Sequence, residues 1–375
     1  MTILRPMIDS IQTQRVVESW LKDLSENSKT SYLEALAEFC IVNDTNPAEM
    51  LNKIYQEEEE RLPAWNRSIN TWFEDYDEYC KEKERSKSTR DIRRTIVNAF
   101  IGFHGMPQYS QRGRRRKVEG LKEPKIRVNL TKEDICQMLE VCRTFKMKAV
   151  ILAQASSGLA GSDLLNLKIL HFKEGIKEVY DDNGDLRRIC QLSLERKKTH
   201  VKFTTFFNEE AVRAIERYLE FEREDIKSDD ALFSRYKSGG DHMTPMAIQQ
   251  SYRDINKFLN WEPDEDGFYR ATSHMLRKFF NTQLINAGMA EEIREHMMGH
   301  KFKDRVRDAY YLADPDDLRK TYMRYIDYLN VKSSPINYSV DEIRELQQLV
   351  AGMKKELKEL KGEIRGAYFF LIENI

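Results

Sequence analysis

Apolar residues recur at intervals of three and four positions through the first hundred residues, the spacing that places side chains on one face of a helix. Polar stretches separate successive faces of this kind, so the pattern predicts a small bundle of helices over residues 10–108. The residues that mark these faces are Val16, Val17, Trp20, Leu21, Leu24, Tyr32, Leu36, Phe39, Trp72, Phe73, Tyr76 and the stretch 92–103. Gly105 and Pro107 then interrupt the helical spacing, which predicts a linker over residues 109–128.

A second predicted domain covers residues 129–332 and begins with a helix. Thr131 is a suitable N-cap, because its hydroxyl can accept a hydrogen bond from a free backbone N–H of the first turn. Glu133 and Asp134 follow, and their negative charge suits the positive end of the helix dipole. Residues 149–155 are almost entirely apolar and continue as a buried helix.

The same domain contains a short stretch with the pattern of strands. Residues 178–194 alternate around an Asp-Asn-Gly turn, as the two strands of a hairpin do. Residues 201–206 alternate in the same way and predict a third strand at the edge of the sheet, after which Asn208 is a suitable N-cap for the next helix. The predicted fold class is therefore mainly α with one small antiparallel β-sheet.

Residues 338–375 form a segment of a different kind. Apolar residues there alternate at spacings of three and four, which is the seam of a coiled coil. The seam residues are Ile343, Leu346, Val350, Met353, Leu357, Leu360 and Ile364. Pairing with a partner copy and packing onto the chain's own domain would both explain this pattern.

The composition fits a soluble, helix-rich protein of two or more domains. Of the 375 residues, 33% are charged and 41% are hydrophobic, and no apolar run approaches the roughly 20 residues of a membrane span. The N-terminus lacks the apolar core of a signal peptide. The five cysteines are scattered without a C-x-x-C pair, which predicts neither a disulfide framework nor a zinc knuckle. We therefore expect a cytoplasmic protein.

The net charge of −1 does not indicate a nucleic-acid partner, but its distribution does. Residues 111–127 contain eight basic residues against two acidic ones, Glu119 and Glu123, a local charge of +6. The basic residues are Arg112, Arg114, Arg115, Arg116, Lys117, Lys122, Lys125 and Arg127. A strap that lies on DNA phosphates and a merely solvated linker both fit this run. The acidic run at residues 57–60 is expected to be a solvated helix face.

The candidate chemistry lies between residues 274 and 311. His274 and Arg277 form H-x-x-R, Gly299 and His300 follow within M-G-H-K, and a tyrosine pair comes next. Each of these motifs alone is common in proteins without any catalytic role, so the functional hypothesis depends on their joint occurrence in this order. A phosphodiester gains negative charge as it is attacked, and cationic groups stabilise that charge. A phenol nearby can act as nucleophile and split the displacement into two steps through a covalent intermediate.

In order and spacing these motifs resemble the C-terminal signature of the tyrosine recombinases, or phage integrases. The archaeal viral and mobile-element branch is the most similar, because its members often contain M-G-H-K, A-Y and a later L-x-x-x-Y. Here these are residues 298–301, residues 309–310 and Leu318 to Tyr322. The resemblance covers residues 10–330 approximately. It implies a helical core-binding domain that clamps DNA, followed by a tyrosine-recombinase catalytic domain.

The resemblance implies a role for each residue of the central motifs. Arg277 would hold the non-bridging phosphate oxygens in its fork of N–H donors. His274 would donate to the phosphate or take the tyrosine proton, and His300 would donate to the same phosphate. A zinc site is the alternative, because His296 and His300 are four residues apart. Met297, however, stands where the zinc-protease motif needs glutamate. The resemblance implies no metal and no cofactor.

The resemblance also implies a general acid and a nucleophile. The family's lysine lies on the hairpin between the second and third strands of its sheet and protonates the leaving 5′-oxygen. Lys197 and Lys198 are the candidates, and Lys198 is preferred because it precedes threonine. Tyr310 fits the family's spacing to the later leucine and is the preferred nucleophile. Tyr311 is the alternative nucleophile, although on a helix it would point about 100° away.

One position departs from the family pattern. The family's first catalytic arginine stands in a T-G-L-R-x-S-E-L-like motif, and this chain has Ala160 at that position. Asp163 matches the acidic residue that supports the site. Three explanations remain open: a divergent branch that recruits another cation, a recombinase reduced to a DNA-binding protein, and a deliberate mutant.

The predicted function is a site-specific recombinase that cleaves and rejoins duplex DNA through a 3′-phosphotyrosine, assembled as a homo-oligomer, with a tetrameric synapse on DNA. The first alternative is a catalytically impaired DNA-binding protein on the same fold, and Ala160 is the residue that favours it. A second alternative is a type IB topoisomerase-like enzyme, which shares the chemistry but nicks and closes DNA without synapsis.

Overall fold

The structure, a computed structural model, divides into two compact units, Met1–Arg127 and Val128–Ile375. Apart from the side chain of Asn27, it describes residues 4–108, 129–181, 184–196, 200–238, 240–265, 267–301 and 314–331. The predicted linker, residues 109–128, and the predicted heptad segment, residues 338–375, therefore lie outside the described residues. Among the described helices, none combines the length and the apolar character that a membrane crossing needs.

The first unit is a bundle of helices around an aromatic core. Its helices are α1 (Leu4–Ile11), α2 (Arg15–Leu21), α3 (Glu26–Val42), α4 (Pro47–Glu59), a 3-10 turn (Ala64–Asn66), α5 (Ser68–Glu82) and α6 (Lys87–Phe103). Phe39, Phe73, Tyr76 and Phe100 are fully buried between them. The apolar spacing predicted this bundle but missed α1 and α4. The start of α4 is visible in the sequence as an N-cap Asn46, which accepts from the N–H of Glu49 (3.0 Å).

Two carboxylates of the first unit are buried. Glu38 accepts hydrogen bonds from the Tyr76 hydroxyl (2.9 Å) and from Arg85 (2.7 Å). Glu57 is only 3% exposed and accepts from the backbone N–H of Ser68 (3.0 Å). The prediction that residues 57–60 form a solvated face is therefore wrong for Glu57, because this carboxylate satisfies a donor at the start of α5.

The second unit is mostly helical with one antiparallel sheet. Its elements are α7 (Lys132–Val141), α8 (Phe145–Ser157), α9 (Gly161–Leu165), α10 (Ile169–Gly175), β1 (Ile176–Tyr180), β2 (Leu186–Glu195), β3 (Lys202–Phe207), α11 (Glu209–Glu222), α12 (Pro245–Phe258), α13 (Ser273–Asn286), α14 (Glu291–Met297) and α15 (Pro315–Leu329). The fold class predicted from the pattern is confirmed: mainly α with one small antiparallel sheet.

Local capping starts two of these helices as predicted. The Thr131 hydroxyl accepts from the N–H of Asp134 (3.1 Å), and the Asp134 carboxylate accepts from the N–H of Thr131 (2.9 Å). This reciprocal pair is a capping box. The Asn208 side chain accepts from the N–H of Ala211 (3.0 Å) and caps α11.

The sheet has the order β1-β2-β3, and β2 is antiparallel to both neighbours. β3 lies at the edge of the sheet, as predicted, but its residues do not alternate between buried and exposed, because residues 203–207 are all buried. One face of β3 lies in the main core, where Phe203 and Phe207 pack. On the other face Phe206 stacks on Tyr322 of α15 at 4.9 Å between ring centroids. Both faces of β3 are therefore covered. The alternation of apolar and polar residues could not indicate this.

Candidate functional site

Arg277 lies at the centre of the candidate site, on the first turns of α13. The Thr272 side chain accepts from the N–H of Met275 (3.2 Å) and so starts this helix. The Arg277 guanidinium is partly buried and donates to the carbonyl oxygens of Gly158 (2.5 Å) and Met298 (2.7 Å). It therefore joins the loop after α8 to the loop after α14, the two segments that carry the other matched motifs.

Glycines end both of these helices for a steric reason. Gly158 and Gly299 have positive φ angles, 65° and 68°, which residues with a Cβ rarely adopt. A Cβ on Gly158 would lie 2.4 Å from the ring of Phe280, and one on Gly299 would lie 2.9 Å from Cδ of Arg196. The glycine of the G-H motif therefore makes room for an arginine from the sheet.

Both ring nitrogens of His300 make hydrogen bonds. Its Nδ1 lies 2.6 Å from a carboxylate oxygen of Glu295, and its Nε2 lies 2.6 Å from Nη2 of Arg277. Because an arginine can only donate, Nε2 is the acceptor and the ring proton is on Nδ1. Donation from Nε2 to a phosphate, the role that the resemblance implies, requires a proton on Nε2 and release of Arg277 from that nitrogen.

A cavity of about 540 Å³ opens beside Arg277. Ala160, His274 and Arg277 line it, together with Tyr252 and Arg253 of α12. Two of the predicted catalytic residues therefore face the same space, and Ala160 faces it as well. Arg253 and Arg277 are cationic residues of this lining, and arginines commonly contact DNA phosphates.

A buried hydrogen-bond network holds the loop that contains Ala160. The Gln154 side chain on α8 is fully buried and accepts from the Tyr252 hydroxyl (2.6 Å). Its amide nitrogen donates to the Leu159 carbonyl oxygen (3.4 Å) and to the Ser273 hydroxyl. Three helices are thereby joined at the loop, which fixes the backbone on which the cavity depends.

Asp163 pairs with a cation that the sequence analysis missed. Arg196 follows β2, and its Nε lies 3.1 Å from the Asp163 carboxylate. Its Nη1 donates to the carbonyl oxygen of Gly299 (3.2 Å). The available signal was its position directly before the two candidate lysines, in the same basic run. Asp163 thus holds Arg196, and its role in supporting the site stays a prediction.

The site carries an electrostatic strain. Burial, and then the neighbouring charge of Arg196, lower the pKa of Arg277 to about 10, against the opposing effect of Asp163 and Glu295. Arg277 stays charged at neutral pH at this value. Two partly buried guanidinium groups that are close enough to repel each other favour an anion as ligand, and perturbed pKa values of this kind are typical of functional sites.

The remaining candidate residues lie outside the described residues, and their predicted roles stay predictions. They are the basic-run residues Arg112, Arg114, Arg115, Arg116 and Lys117, the candidate general acids Lys197 and Lys198, and the candidate nucleophiles Tyr310 and Tyr311. The later tyrosine of the L-x-x-x-Y match, Tyr322, is described and is fully buried; its hydroxyl donates to the Ser156 carbonyl oxygen (2.9 Å). The role of Tyr322 is therefore packing.

The histidines of the zinc alternative both contact protein groups. His296 Nε2 accepts from the backbone N–H of Thr204 (3.3 Å), and both ring nitrogens of His300 are bonded as described above. Within the described part of the chain, no three side chains of histidine, cysteine, aspartate or glutamate converge as metal ligands. His296 thus joins α14 to β3.

We expect His296 to make folding sensitive to acid. Burial lowers its pKa, so the folded state binds the proton less readily than the unfolded chain. As the pH falls below about 6.5, the unfolded state takes up the proton first and the free energy of unfolding decreases. His296→Gln, which can still accept from Thr204, should lose less stability over this range in urea titrations. Equal pH dependence of the two proteins would assign the effect to other groups.

The chain is similar to known proteins in sequence. The phage integrase family model matches residues 128–316. Tyrosine recombinase XerC of Leptospira interrogans is 24% identical over 179 residues, which are 45% of this chain and 50% of that protein. Tyrosine recombinase XerA of Pyrococcus horikoshii is 24% identical over 229 residues, which are 59% of this chain and 69% of that protein. The chain thus spans about half the length of the Leptospira relative.

The chain is also similar to a solved structure. The integrase of transposon Tn1549, in complex with circular intermediate DNA, matches 83% of this chain and 98% of its own chain with a TM-score of 0.50. The two sequences are 18% identical, so the likeness concerns the fold.

Proposed function

The chain belongs to the phage integrase family, and from this premise we propose that it is a site-specific DNA recombinase. One observation carries the proposal. The Arg277 guanidinium is held between the loops of two matched motifs, in contact with His300 and at the edge of a cavity that His274 also lines. This arrangement can bind a phosphodiester and stabilise the charge that develops as it is attacked.

In the proposed reaction, the Tyr310 hydroxyl attacks the scissile phosphorus and the bond to the 5′-oxygen breaks. The tyrosine proton passes to His274 or to solvent, and Lys198 protonates the leaving 5′-oxygen. The product is a 3′-phosphotyrosine with a free 5′-hydroxyl. A 5′-hydroxyl from a second duplex then attacks the phosphotyrosine and restores the tyrosine. The phosphotyrosine preserves the phosphodiester bond energy, so the reaction consumes no nucleotide.

The proposed partners are duplex DNA and further copies of the chain. The DNA in the Tn1549 integrase complex supports the first partner by analogy of fold. A tetramer on two duplexes is the assembly that we propose, because strand exchange needs two cleaved sites held together. A cytoplasmic location follows from a DNA substrate.

The alternative is a DNA-binding protein without strand-cleaving activity, and Ala160 is the observation that favours it. The small side chain leaves its part of the cavity wall without a cation from that position. Loss of one charged contact to the transition state lowers a rate about 10²- to 10³-fold. A protein reduced in this way would keep its DNA affinity, because binding and chemistry depend on different contacts.

A trapping experiment separates the two functions. Duplexes that bind the full-length protein are first recovered by selection from a random-sequence pool. A recovered duplex with a nick next to the candidate cleavage position then loses the short fragment after cleavage, so a covalent protein–DNA adduct accumulates. We expect an adduct that survives denaturation. Tight binding without any adduct on every recovered duplex would favour the alternative.

The basic run provides a prediction about affinity. Replacing Arg114, Arg115 and Arg116 with alanine should weaken binding to all duplex sequences by a similar factor, because phosphate contacts carry no sequence information. The slope of log affinity against log salt should fall by about 0.9 for each phosphate that the variant no longer neutralises. Binding titrations at several salt concentrations measure both effects. An unchanged slope would show that the run is only solvated.

The heptad segment provides a prediction about assembly. If its seam pairs copies of the chain, deletion of residues 336–375 should impair the joining of two DNA sites more than the binding of one site. Gel-shift titrations on duplexes with one and two sites make the comparison. Equal loss of both, together with a lower melting temperature, would place the segment in the core of its own domain.

A further inference from the structure

Two arginines connect the segment 158–163 to the end of α14. Arg277 connects the Gly158 carbonyl oxygen to the Met298 carbonyl oxygen. Arg196 makes a similar connection: its guanidinium connects the Asp163 carboxylate on α9 to the carbonyl oxygen of the next residue after Met298, Gly299. One arginine comes from a helix and the other from the end of a strand, so the site has a second fixed cation besides the matched one.

Ala160 lies between the two attachment points on the segment 158–163. Arg277 binds the carbonyl oxygen two residues before Ala160, and Arg196 binds the carboxylate three residues after it, on the first turn of α9. Arg196 is thus anchored within one helical turn of the position that lacks a cationic side chain.

Among the described residues, two of the N–H donors of Arg196 are in hydrogen bonds with protein groups. An arginine side chain has five N–H donors, and Arg196 uses one on Nε and one on Nη1 in the bonds described. Its side chain is 18% exposed, and that of Asp163 is 12% exposed. Asp163 orients the guanidinium and stabilises its charge.

The charge of Arg196 acts against the charge of Arg277. Like charges that are partly buried repel each other strongly, and the charge of Arg196 is one cause of the lowered pKa of Arg277. Position 299 requires glycine in part because Cδ of Arg196 occupies the space that a Cβ would need. An anion bound between the two guanidinium groups would remove the repulsion and so explains the arrangement.

We propose that Arg196 is a catalytic residue, which supplies to the scissile phosphate the second guanidinium that Ala160 does not provide. This inference rests on the proposed function. Arg196 and Arg277 would each contact a non-bridging oxygen and stabilise the negative charge of the pentacoordinate transition state. Of the three explanations for Ala160, this assignment selects the divergent site with a recruited cation.

The test measures single-turnover adduct formation on a nicked duplex recovered from the random pool. Each Arg196 variant is assayed on the normal phosphodiester and on a methylphosphonate, in which a methyl group replaces one charged non-bridging oxygen at the scissile position. Arg196→Gln should slow the reaction of the phosphodiester about 10²- to 10³-fold. The loss should be much smaller on the methylphosphonate, because its pentacoordinate state carries one negative charge fewer and Arg277 remains to stabilise the charge that develops.

A structural role gives a different result. If Arg196 only holds Asp163 and the Gly299 loop, Arg196→Gln will slow both substrates by the same factor, and the proposal is overturned. Arg196→Lys keeps a cation that can pair with Asp163 but lacks the planar fork of N–H donors, so it is less prone to a folding defect. For this variant too, the proposal predicts a larger loss of rate on the phosphodiester than on the methylphosphonate. Melting temperatures are recorded for every variant.

The chain offers a matched control on the same strand. Arg187 on β2 pairs through Nε with the Asp181 carboxylate (2.9 Å), an arginine–aspartate pair of the same kind as Arg196 and Asp163. Arg187→Gln should leave adduct formation unchanged on both substrates. A loss as large as that of Arg196→Gln would show that any such pair on the sheet affects the rate, and would overturn the assignment.

Adding the family's arginine provides a second test. Because the phosphate already has two guanidinium groups, Ala160→Arg should raise the rate less than about tenfold in the unchanged protein, against the 10²- to 10³-fold effect of supplying a missing contact. A gain of the larger size would overturn the proposal.

Failure of the proposed function and failure of the Arg196 assignment give different results. No adduct from the unchanged protein would overturn the proposed function and this assignment together, whereas a normal adduct that Arg196 variants do not slow would overturn the assignment alone.

Discussion

Replacing Tyr310 with phenylalanine is expected to abolish covalent attachment of the protein to DNA while leaving DNA binding unchanged. The substitution removes one hydroxyl group, the proposed nucleophile, and keeps the aromatic ring for packing. The adduct assay on a nicked duplex measures the first effect, and a binding titration on the intact duplex measures the second. No other substitution is expected to have so complete an effect, because without the attacking oxygen the covalent intermediate cannot form.

Tyr311→Phe is the matched control, because it makes the same chemical change one residue later. We expect it to form the adduct at a rate close to that of the unchanged protein. If Tyr311→Phe abolishes the adduct and Tyr310→Phe does not, the nucleophile is Tyr311. Persistence of the adduct in the variant with both substitutions would contradict attachment through either tyrosine.

Arg277→Gln is expected to produce the next largest loss. The change removes a cation from the proposed phosphate site, which should slow adduct formation about 10²- to 10³-fold. It also leaves the Gly158 and Met298 carbonyl oxygens without this donor, at a cost of about 1–3 kcal/mol for each buried acceptor that stays unpaired. Adduct formation is therefore measured under conditions in which thermal melting shows the variant to be folded.

Arg294→Gln controls for the structural part of this loss. Arg294 lies on α14, is buried, and donates to the Met289 carbonyl oxygen (3.1 Å) and to the Asn281 side chain (2.5 Å). Its removal should lower the melting temperature comparably and leave the rate of the folded protein unchanged. Equal rates for the two variants, once corrected for folding, would assign Arg277 a structural role only.

Where structure depends on contacts between near neighbours in the chain, the sequence was sufficient. The capping box of Thr131 and Asp134 and the Asn208 cap each involve residues three apart, so their geometry follows from residue type and order. The hairpin strands β1 and β2 are connected by a short turn and were predicted for the same reason. Arg277 and Gly299 could be singled out because the family motifs are themselves short and local.

Contacts between different helices and strands could not be predicted from the hydrophobic periodicity. β3 was predicted as an alternating strand at the edge of the sheet, yet both of its faces are covered: Phe206 stacks on Tyr322, a residue 116 positions later in the chain. Glu57 was predicted to be solvated, yet it is buried because its carboxylate accepts from the N–H of Ser68 at the start of α5. In both cases the deciding partner belongs to another element, and hydrophobic periodicity describes only the element in which it occurs.

The sequence by itself determined the fold class, the family motifs and the identity of the residues that could carry phosphoryl transfer. The tertiary structure alone decided that Arg196 binds Asp163, 33 positions away, and the Gly299 carbonyl oxygen, 103 positions away. The physical reason is that an ion pair depends on distance in space. With 61 basic and 62 acidic residues in the chain, composition permits very many pairs. Only the folded positions of β2, α9 and the loop after α14 select this pair, three residues after Ala160 on the Asp163 side.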